Sequence, residues 1–137
     1  MRAYLDTSAL TKRYIREQGS DLIDDLFLEL DSVVVNSICL PEIISALSRL
    51  RREKSLNANE YNRCKRAAIE DVSLFEVCQL SSEVLRTTID VLEHSELRAV
   101  DALHVACAIE SKVSRFVSSD KKQLLTAKKF NLKTHAA

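Results

Sequence analysis

The apolar positions of the chain follow two spacings, one typical of strands and one typical of helices. Short apolar runs predict strands at residues 2–6, 32–36, 74–78 and 115–119, and the run at 32–36 is β-branched, as in a buried parallel strand. A short final strand is predicted over residues 131–135. Between them, apolar residues recur every three or four positions, as they do on one face of a helix. Strands that alternate with helical stretches predict an α/β fold: a three-layer α/β/α sandwich with a mainly parallel sheet of about five strands.

Several local features predict where the helices begin and end. Gly19 is expected to stop a short helix over residues 8–17, and Ser20 to cap the following helix. Asn57 has a glutamate three residues later, which is the spacing of a capping box and predicts another helix start. Asn131 stands where a left-handed helix stop normally favours glycine.

The apolar stripe of each helix predicts which face it buries. In the helix that follows the third strand, the residues expected to face inward are Val84, Leu85, Ile89 and Leu92. The helix over residues 100–110 is apolar on more than one side, which predicts that it is buried.

Length and composition favour one globular domain over residues 1–137. The 137 residues include only one glycine and one proline, so no flexible linker divides the chain. Neither a signal peptide nor a membrane span is predicted, which indicates a cytoplasmic protein. The formal net charge is zero, so any binding of nucleic acid has to be local. The cysteines are scattered without a Cys-x-x-Cys pair and are expected to be buried thiols: Cys39, Cys64, Cys78 and Cys107.

Residues that the chain lacks exclude three classes of enzyme. A P-loop and a dinucleotide-binding fingerprint each require more than one glycine. A phosphatase with a strand-end aspartate nucleophile would need a second aspartate at position 8, where the chain has Ser8.

Four acidic residues stand near strand ends or helix starts. Asp6 ends the first strand, and Glu42 opens the helix after the second. Asp101 opens the helix before the fourth strand, and Asp120 follows that strand directly. Each of them would also serve as an ordinary helix-start carboxylate, which the helix dipole favours by about 0.3 to 1 kcal/mol. Right-handed crossovers instead predict that all of them meet at one edge of the sheet.

A cluster of carboxylates at one edge favours a cation. Carboxylates held a few ångströms apart repel one another unless a positive charge lies between them. Ligands that offer only oxygen atoms select hard ions such as Mg²⁺ or Mn²⁺. One or two such ions would activate water and stabilise charge on a phosphodiester, so the cluster predicts hydrolysis of a nucleic-acid backbone.

The segments that hold these acids resemble a known family. "YLDTSAL", "LPEIISAL", "RAVDALHVACAI" and "FVSSDKKQL" look, in this order, like the four acidic motifs of PIN-domain ribonucleases, and among them of the toxins of VapBC-type toxin–antitoxin modules. The resemblance covers essentially the whole chain. It implies a metal-dependent endoribonuclease in which Asp6, Glu42 and Asp101 are the core acids and Asp120 is a further ligand, direct or through water.

The same resemblance implies supporting residues and partners. Ser8 matches the hydroxyl that follows the first aspartate of the family, where it would orient a carboxylate or contact substrate, and Ser118 looks like the comparable hydroxyl before the fourth acid. Toxins of this kind usually form homodimers and are held inactive by a cognate antitoxin. The alternative is a non-catalytic PIN-like interaction module with a weak or unoccupied metal site, which the balanced net charge favours.

Basic residues and one histidine near the predicted crevice have two interpretations each. Arg98, Lys121 and Lys122 would contact RNA phosphates or would be solvated surface charges. His104 lies one helical turn after Asp101. It would be either a metal ligand or general acid, or a packed and hydrogen-bonded core residue.

Overall fold

Five strands and seven helices follow one another along the chain. The structure, a computed structural model, describes residues 1–137. The strands are β1 (Arg2–Leu5), β2 (Ser32–Asn36), β3 (Glu76–Cys78), β4 (Arg115–Ser118) and β5 (Thr134–Ala136). The helices are α1 (Thr7–Thr11), α2 (Ser20–Glu29), α3 (Cys39–Arg52), α4 (Ala58–Leu74), α5 (Ser82–Glu93), α6 (Ala99–Glu110) and α7 (Lys121–Lys129).

All five strands form one parallel sheet in the order β3-β2-β1-β4-β5. The central strand β1 pairs with β2 on one side and with β4 on the other, where Leu5 lies opposite Val117. The chain leaves β1 toward one edge of the sheet and leaves β4 toward the other. Such a reversal opens a crevice at the carboxyl ends of the two strands, which is where ligands bind in open α/β sheets.

Helices cover both faces of the sheet, which confirms the predicted three-layer sandwich. Side chains alternate along β1, so Ala3 and Leu5 face one core while Tyr4 faces the other. The first core includes residues of α1 to α4, and the second includes residues of α5 to α7. Because both faces of the central strands are buried, those strands are apolar at nearly every position.

The first helix is shorter than the predicted range of 8–17, since α1 ends at Thr11. The Thr11 hydroxyl donates to the carbonyl of Thr7, a bond that competes with regular helix geometry. The ammonium group of the buried Lys12 then donates a hydrogen bond to the carbonyl of Gln18, in the loop that follows α1. A charged side chain that folds back on its own loop leaves no signal in the apolar spacing.

The prediction that Ser20 caps α2 is wrong. The cap is Gly19, with φ at 95°, and no side chain caps this helix. The Ser20 hydroxyl instead donates to the carbonyl of Ile15 and accepts from the amide of Glu17. Serine therefore holds the preceding loop together.

Two strands at the edges of the sheet differ from their predicted ranges. Helix α4 continues to Leu74, and β3 is limited to the three residues that pair with β2. Asn131 adopts φ of 66° after α7, which confirms the predicted left-handed stop. β5 begins only at Thr134, rather than at residue 131, because the chain needs this turn before it can pair with β4.

Helix α5 is rotated relative to its predicted orientation. Leu85 and Ile89 are 48% and 57% exposed, whereas Val84, Thr88 and Val91 are buried. Thr88 can be buried because its hydroxyl donates to a backbone carbonyl of the same helix, 2.7 Å away.

Helix α6 is the most deeply buried helix, as its apolar pattern predicts. Its buried residues include the whole run from His104 to Ala108, although Val100 at its start is 41% exposed. No helix in the structure is both long and apolar enough to cross a membrane. All four cysteines are free, and only Cys78, on the edge strand β3, is partly exposed.

The capping box at the start of α4 is confirmed and should contribute measurably to stability. The Asn57 side chain accepts from the Glu60 amide at 2.8 Å, and the Glu60 carboxylate accepts from the Asn57 amide at 3.0 Å. We expect Asn57→Ala to lower the free energy of unfolding by about 1 kcal/mol in urea denaturation. Asn62→Ala, in the exposed interior of the same helix, is the matched control and should cause no loss, because alanine is the better helix former. Equal losses in both variants would contradict the capping argument.

Candidate active site

A cavity of about 400 Å³ opens at the carboxyl ends of β1, β2 and β4. Its lining includes all four acids that the sequence places at strand ends: Asp6, Glu42, Asp101 and Asp120. Side chains with hydroxyl, amide and imidazole groups surround the acids, among them Thr7, Ser8, Ser119, Gln123 and His104. The parallel sheet therefore brings together residues that are up to 117 positions apart in the chain, from position 6 to position 123.

Asp6 is held in one orientation by donors from α1 and from the end of β4. It is 1% exposed and caps α1, with the Ala9 amide 2.9 Å from its Oδ1. Ser8 donates to Oδ1 at 2.7 Å, and Ser118 donates to Oδ2 at 2.7 Å. Burial raises the pKa of Asp6, although these hydrogen bonds act in the opposite direction. Asp6 is thus both a helix cap and a wall of the cavity.

Ser118 connects Asp6 with the fourth acid. Its hydroxyl donates to Asp6 and accepts from the backbone amide of Asp120 at 2.9 Å. The Asp120 carboxylate caps α7 by accepting from the amides of Lys122 at 2.8 Å and Gln123 at 3.1 Å. The serine that ends β4 therefore sets the position of Asp120 relative to Asp6.

Glu42, in the first turn of α3, is held by two donors on the same oxygen. Nε2 of His104 and the Thr7 hydroxyl each lie 2.7 Å from its Oε1. Burial opposes ionisation of Glu42, but the hydrogen bonds from His104 and Thr7 outweigh it and lower the pKa of the carboxyl. Glu42 therefore lines the cavity as a carboxylate at neutral pH.

Asp101, in the first turn of α6, is half-buried beside a second carboxylate. Burial raises its pKa, and the negative charge of Asp120 raises it further. The amide nitrogen of Gln123 donates to Oδ1 of Asp101 at 2.9 Å, while the buried Oε1 of the same glutamine has no partner. Gln123 therefore links Asp101 to α7, the helix that Asp120 caps.

The donor set of the cavity fits a hard divalent cation by its chemistry. All four acids offer oxygen, the donor type that Mg²⁺ and Mn²⁺ prefer. They line one cavity without converging, because no three histidine, cysteine, aspartate or glutamate side chains are grouped closely enough to hold a metal ion. The raised pKa values of Asp6 and Asp101 show that negative charge is unfavourable there without a counter-charge. A cation would supply that counter-charge.

Comparison with known families decides the assignment. The model of the PIN domain matches residues 3–129. The chain belongs to the PIN domain family. No curated protein matches the chain closely enough to be counted as a relative.

Solved structures with a similar fold extend over nearly all of this PIN domain. FitAcB from Neisseria gonorrhoeae has a TM-score of 0.74 at 15% identity, over 96% of this chain and 95% of the other. VapBC2 from Rickettsia felis, bound to a DNA fragment from its promoter, has a TM-score of 0.70 at 17% identity, over 100% and 99%. The Mycobacterium tuberculosis toxin VapC20, which cleaves the sarcin-ricin loop, has a TM-score of 0.67 at 17% identity, over 88% and 92%.

The basic residues predicted to contact RNA lie outside the lining of the cavity in this PIN domain. Arg98 precedes α6, and Lys121 and Lys122 begin α7, all three with exposed side chains. Lys122 lines a separate cavity beside His94. Their contact with RNA stays a prediction.

Among the cavity residues that the sequence did not identify as part of the site, or left with two interpretations, are Arg49, Gln123, Thr7 and His104. Arg49 is seven residues after Glu42 and so lies on the same face of α3, a spacing that the sequence displays. Gln123 is three residues after a capping aspartate, which also could have indicated it. The side-chain bond of Thr7 to Glu42 has no signal in the sequence. His104 is packed and hydrogen-bonded to an acid, which matches the second of its two interpretations.

Proposed function

We propose that this PIN domain is an endoribonuclease that uses Mg²⁺ or Mn²⁺. The observation that supports it is the set of four acids, from four separate segments, that line one cavity at the reversal point of a parallel sheet. Four unrelated helix caps would not need to share a cavity. They would also not need Ser118, which links Asp6 to the backbone of Asp120.

The residues of this chain would hold one or two cations and prepare the site for substrate. Asp6, Glu42 and Asp101 would act as ligands, with Asp120 as a further ligand, direct or through water. A bound cation supplies an activated water and stabilises the charge that develops on the phosphodiester. Glu42 contributes a carboxylate that is already ionised, because hydrogen bonds lower its pKa. The hydroxyls around Asp6 keep its two oxygens in fixed directions.

RNA is the proposed substrate. The similar protein VapC20 is a toxin that cleaves the sarcin-ricin loop. In the present chain Arg49 brings one positive charge to a cavity otherwise rich in acids, where it would contact a phosphate. Arg98, Lys121 and Lys122 would extend that contact along the backbone of the RNA.

The proposed biological role is that of the toxin in a type II toxin–antitoxin pair. The similar structure VapBC-5 from Mycobacterium tuberculosis is a member of the VapBC family of toxin–antitoxin systems, and VapBC2 was determined together with promoter DNA. By analogy, this chain would bind a cognate antitoxin, form a homodimer and act in the cytoplasm. Leu22, which is 52% exposed on α2, offers part of an apolar surface for a second copy.

Removal of the cation tests the proposed function. We expect purified protein, freed of any antitoxin, to cleave a pool of cellular RNA with Mg²⁺ or Mn²⁺ and to lose all cleavage in excess EDTA. Activity should return when Mn²⁺ is added beyond the chelator. Cleavage that persists undiminished in EDTA would contradict the metal-dependent mechanism, and electrophoresis of the RNA measures both outcomes.

The non-catalytic interaction module is the second candidate. It is favoured by the separation of the acids, since no three of them form a ready metal site. This candidate predicts no cleavage of RNA under any of these ionic conditions, together with retained binding of a protein partner. The same EDTA experiment therefore distinguishes the two candidates.

A further inference from the structure

A buried chain of hydrogen bonds begins in the middle of the sheet and ends on Glu42. The Tyr4 hydroxyl lies 2.7 Å from Nδ1 of His104, and Nε2 of the same ring lies 2.7 Å from Oε1 of Glu42. Tyr4 and His104 are 0% and 1% exposed, and Tyr4 belongs to the core that includes Phe116. Burial of such polar groups costs free energy unless they are hydrogen-bonded, so packing alone does not explain their presence.

Asn36, at the end of β2, fixes the direction of this chain of hydrogen bonds. Its side-chain oxygen accepts from the amide of Ile38 at 3.1 Å, so its amide nitrogen faces Nδ1 of His104, 3.4 Å away. An amide nitrogen is only a donor, so its approach favours Nδ1 as an acceptor over a second protonated nitrogen. The Tyr4 hydroxyl then donates to Nδ1, and burial raises the pKa of Tyr4 so that this proton is retained. The ring proton of His104 lies on Nε2 and is donated to Glu42.

This arrangement leaves one oxygen of Glu42 for a ligand. The bonds from His104 and from Thr7 both end on Oε1, and no protein group donates to Oε2. A carboxylate fixed through one oxygen presents the other in a constant direction. Orientation by such outer partners typically strengthens the binding of a metal ion.

We propose that Tyr4 and His104 are positioning residues that hold Glu42 in a fixed orientation and thereby set the affinity of the site for a divalent cation. The inference rests on the proposed function, because it takes Glu42 as a cation ligand. It adds that a hydroxyl in the middle of the sheet, separated from Glu42 by a whole imidazole ring, controls the site.

Tyr4→Phe is the first test, because it removes only the hydroxyl and keeps the ring that stacks on Phe116. In titration calorimetry with Mn²⁺ alone, we expect this variant of the full chain to bind about tenfold more weakly than the wild type. Tyr14→Phe is the matched control. It also loses a tyrosine hydrogen bond, to Asp71 at 2.9 Å, but Tyr14 does not line the cavity, so its Mn²⁺ affinity should equal that of the wild type.

Two variants of the histidine separate the hydrogen bond from simple packing. His104→Leu should weaken Mn²⁺ binding by about 10- to 100-fold. His104→Gln can place an amide donor near the position of Nε2 and should recover part of that loss. Equal loss in both variants would show that the hydrogen bond to Glu42 is not the cause.

The protonation of His104 gives a readout that needs neither metal nor activity. In a ¹⁵N spectrum of the imidazole groups of metal-free protein, the wild type should show a proton on Nε2 of His104 and an accepting Nδ1. A proton on Nδ1 would overturn the proposed chain. If the wild type and Tyr4→Phe bind Mn²⁺ equally well, this inference is overturned and the proposed function is not. Wild-type protein that neither binds Mn²⁺ nor cleaves RNA would overturn the proposed function as well.

Discussion

Substitution of Asp101 by asparagine should reduce RNA cleavage by at least about 10²- to 10³-fold and leave the protein folded. Asp101 is a carboxylate in a site where burial and the charge of Asp120 both disfavour ionisation. An ionised Asp101 therefore destabilises the fold. In our proposal the chain has a carboxylate at this position because it binds the cation. Asparagine keeps the oxygen that accepts from Gln123 at 2.9 Å, so the local hydrogen bonds can persist while the charge is lost.

Initial rates on one RNA at saturating Mg²⁺ or Mn²⁺ measure this effect. Asp25→Asn is the control, since Asp25 is exposed on α2 and does not line the cavity. It should cleave RNA at the wild-type rate. Undiminished cleavage by the Asp101→Asn protein would mean that the cavity is not where the reaction occurs.

The stability of the same variant has a defined dependence on pH in the absence of metal. The pKa of Asp101 in the fold is raised above its ordinary value of 3.8. The wild-type carboxyl therefore favours folding below the unfolded-state pKa, and this contribution is lost as the pH rises through the folded-state pKa. Asparagine does not titrate, so Asp101→Asn should gain stability relative to the wild type between about pH 4 and pH 7. Urea denaturation in EDTA at both pH values measures the change, and a relative loss would contradict the direction of the pKa shift.

The positions of the four acids could be predicted because they depend on regular features. Strand ends follow from apolar runs, and parallel pairing places those ends at one edge of the sheet. Because Asp6 follows β1 and Asp120 lies just beyond β4, the pairing of these two strands brings the two acids together. The serines near these acids, Ser8 and Ser118, were expected from the resemblance, and the structure shows what they bond to.

Other features depend on side-chain directions that periodicity does not determine. Leu85 and Ile89 give α5 an apolar stripe, yet the helix buries Thr88 instead, because the threonine hydroxyl bonds to its own backbone. The bond between Gln123 and Asp101 likewise requires two helices to meet at a particular angle. Apolar spacing can locate an element in the chain, but it leaves the rotation of that element and its polar contacts open.

Phe116→Ala should produce a large loss of stability, about 3 to 5 kcal/mol in the free energy of unfolding. Phe116 is fully buried in the middle of β4, and its ring stacks on that of Tyr4 with 5.8 Å between centroids and 13° between planes. Alanine would leave a cavity between the sheet and α6, which close packing on both sides prevents from collapsing fully. Because small domains are stable by only about 5 to 15 kcal/mol, a detectable fraction of this variant would be unfolded if the wild type lies at the lower end of that range.

Two further substitutions separate the loss of volume from the loss of a ring. Phe116→Leu keeps most of the apolar volume and should cost less than about 1.5 kcal/mol. Phe27→Ala removes a ring that is only partly buried on α2, so it should cost less than Phe116→Ala. Urea denaturation of the three variants gives the order, and equal losses for the two alanine variants would contradict the argument. Because β4 carries Ser118 toward Asp6, the cavity left by Phe116→Ala should also loosen the hydrogen bond between them and lower activity in the fraction that stays folded.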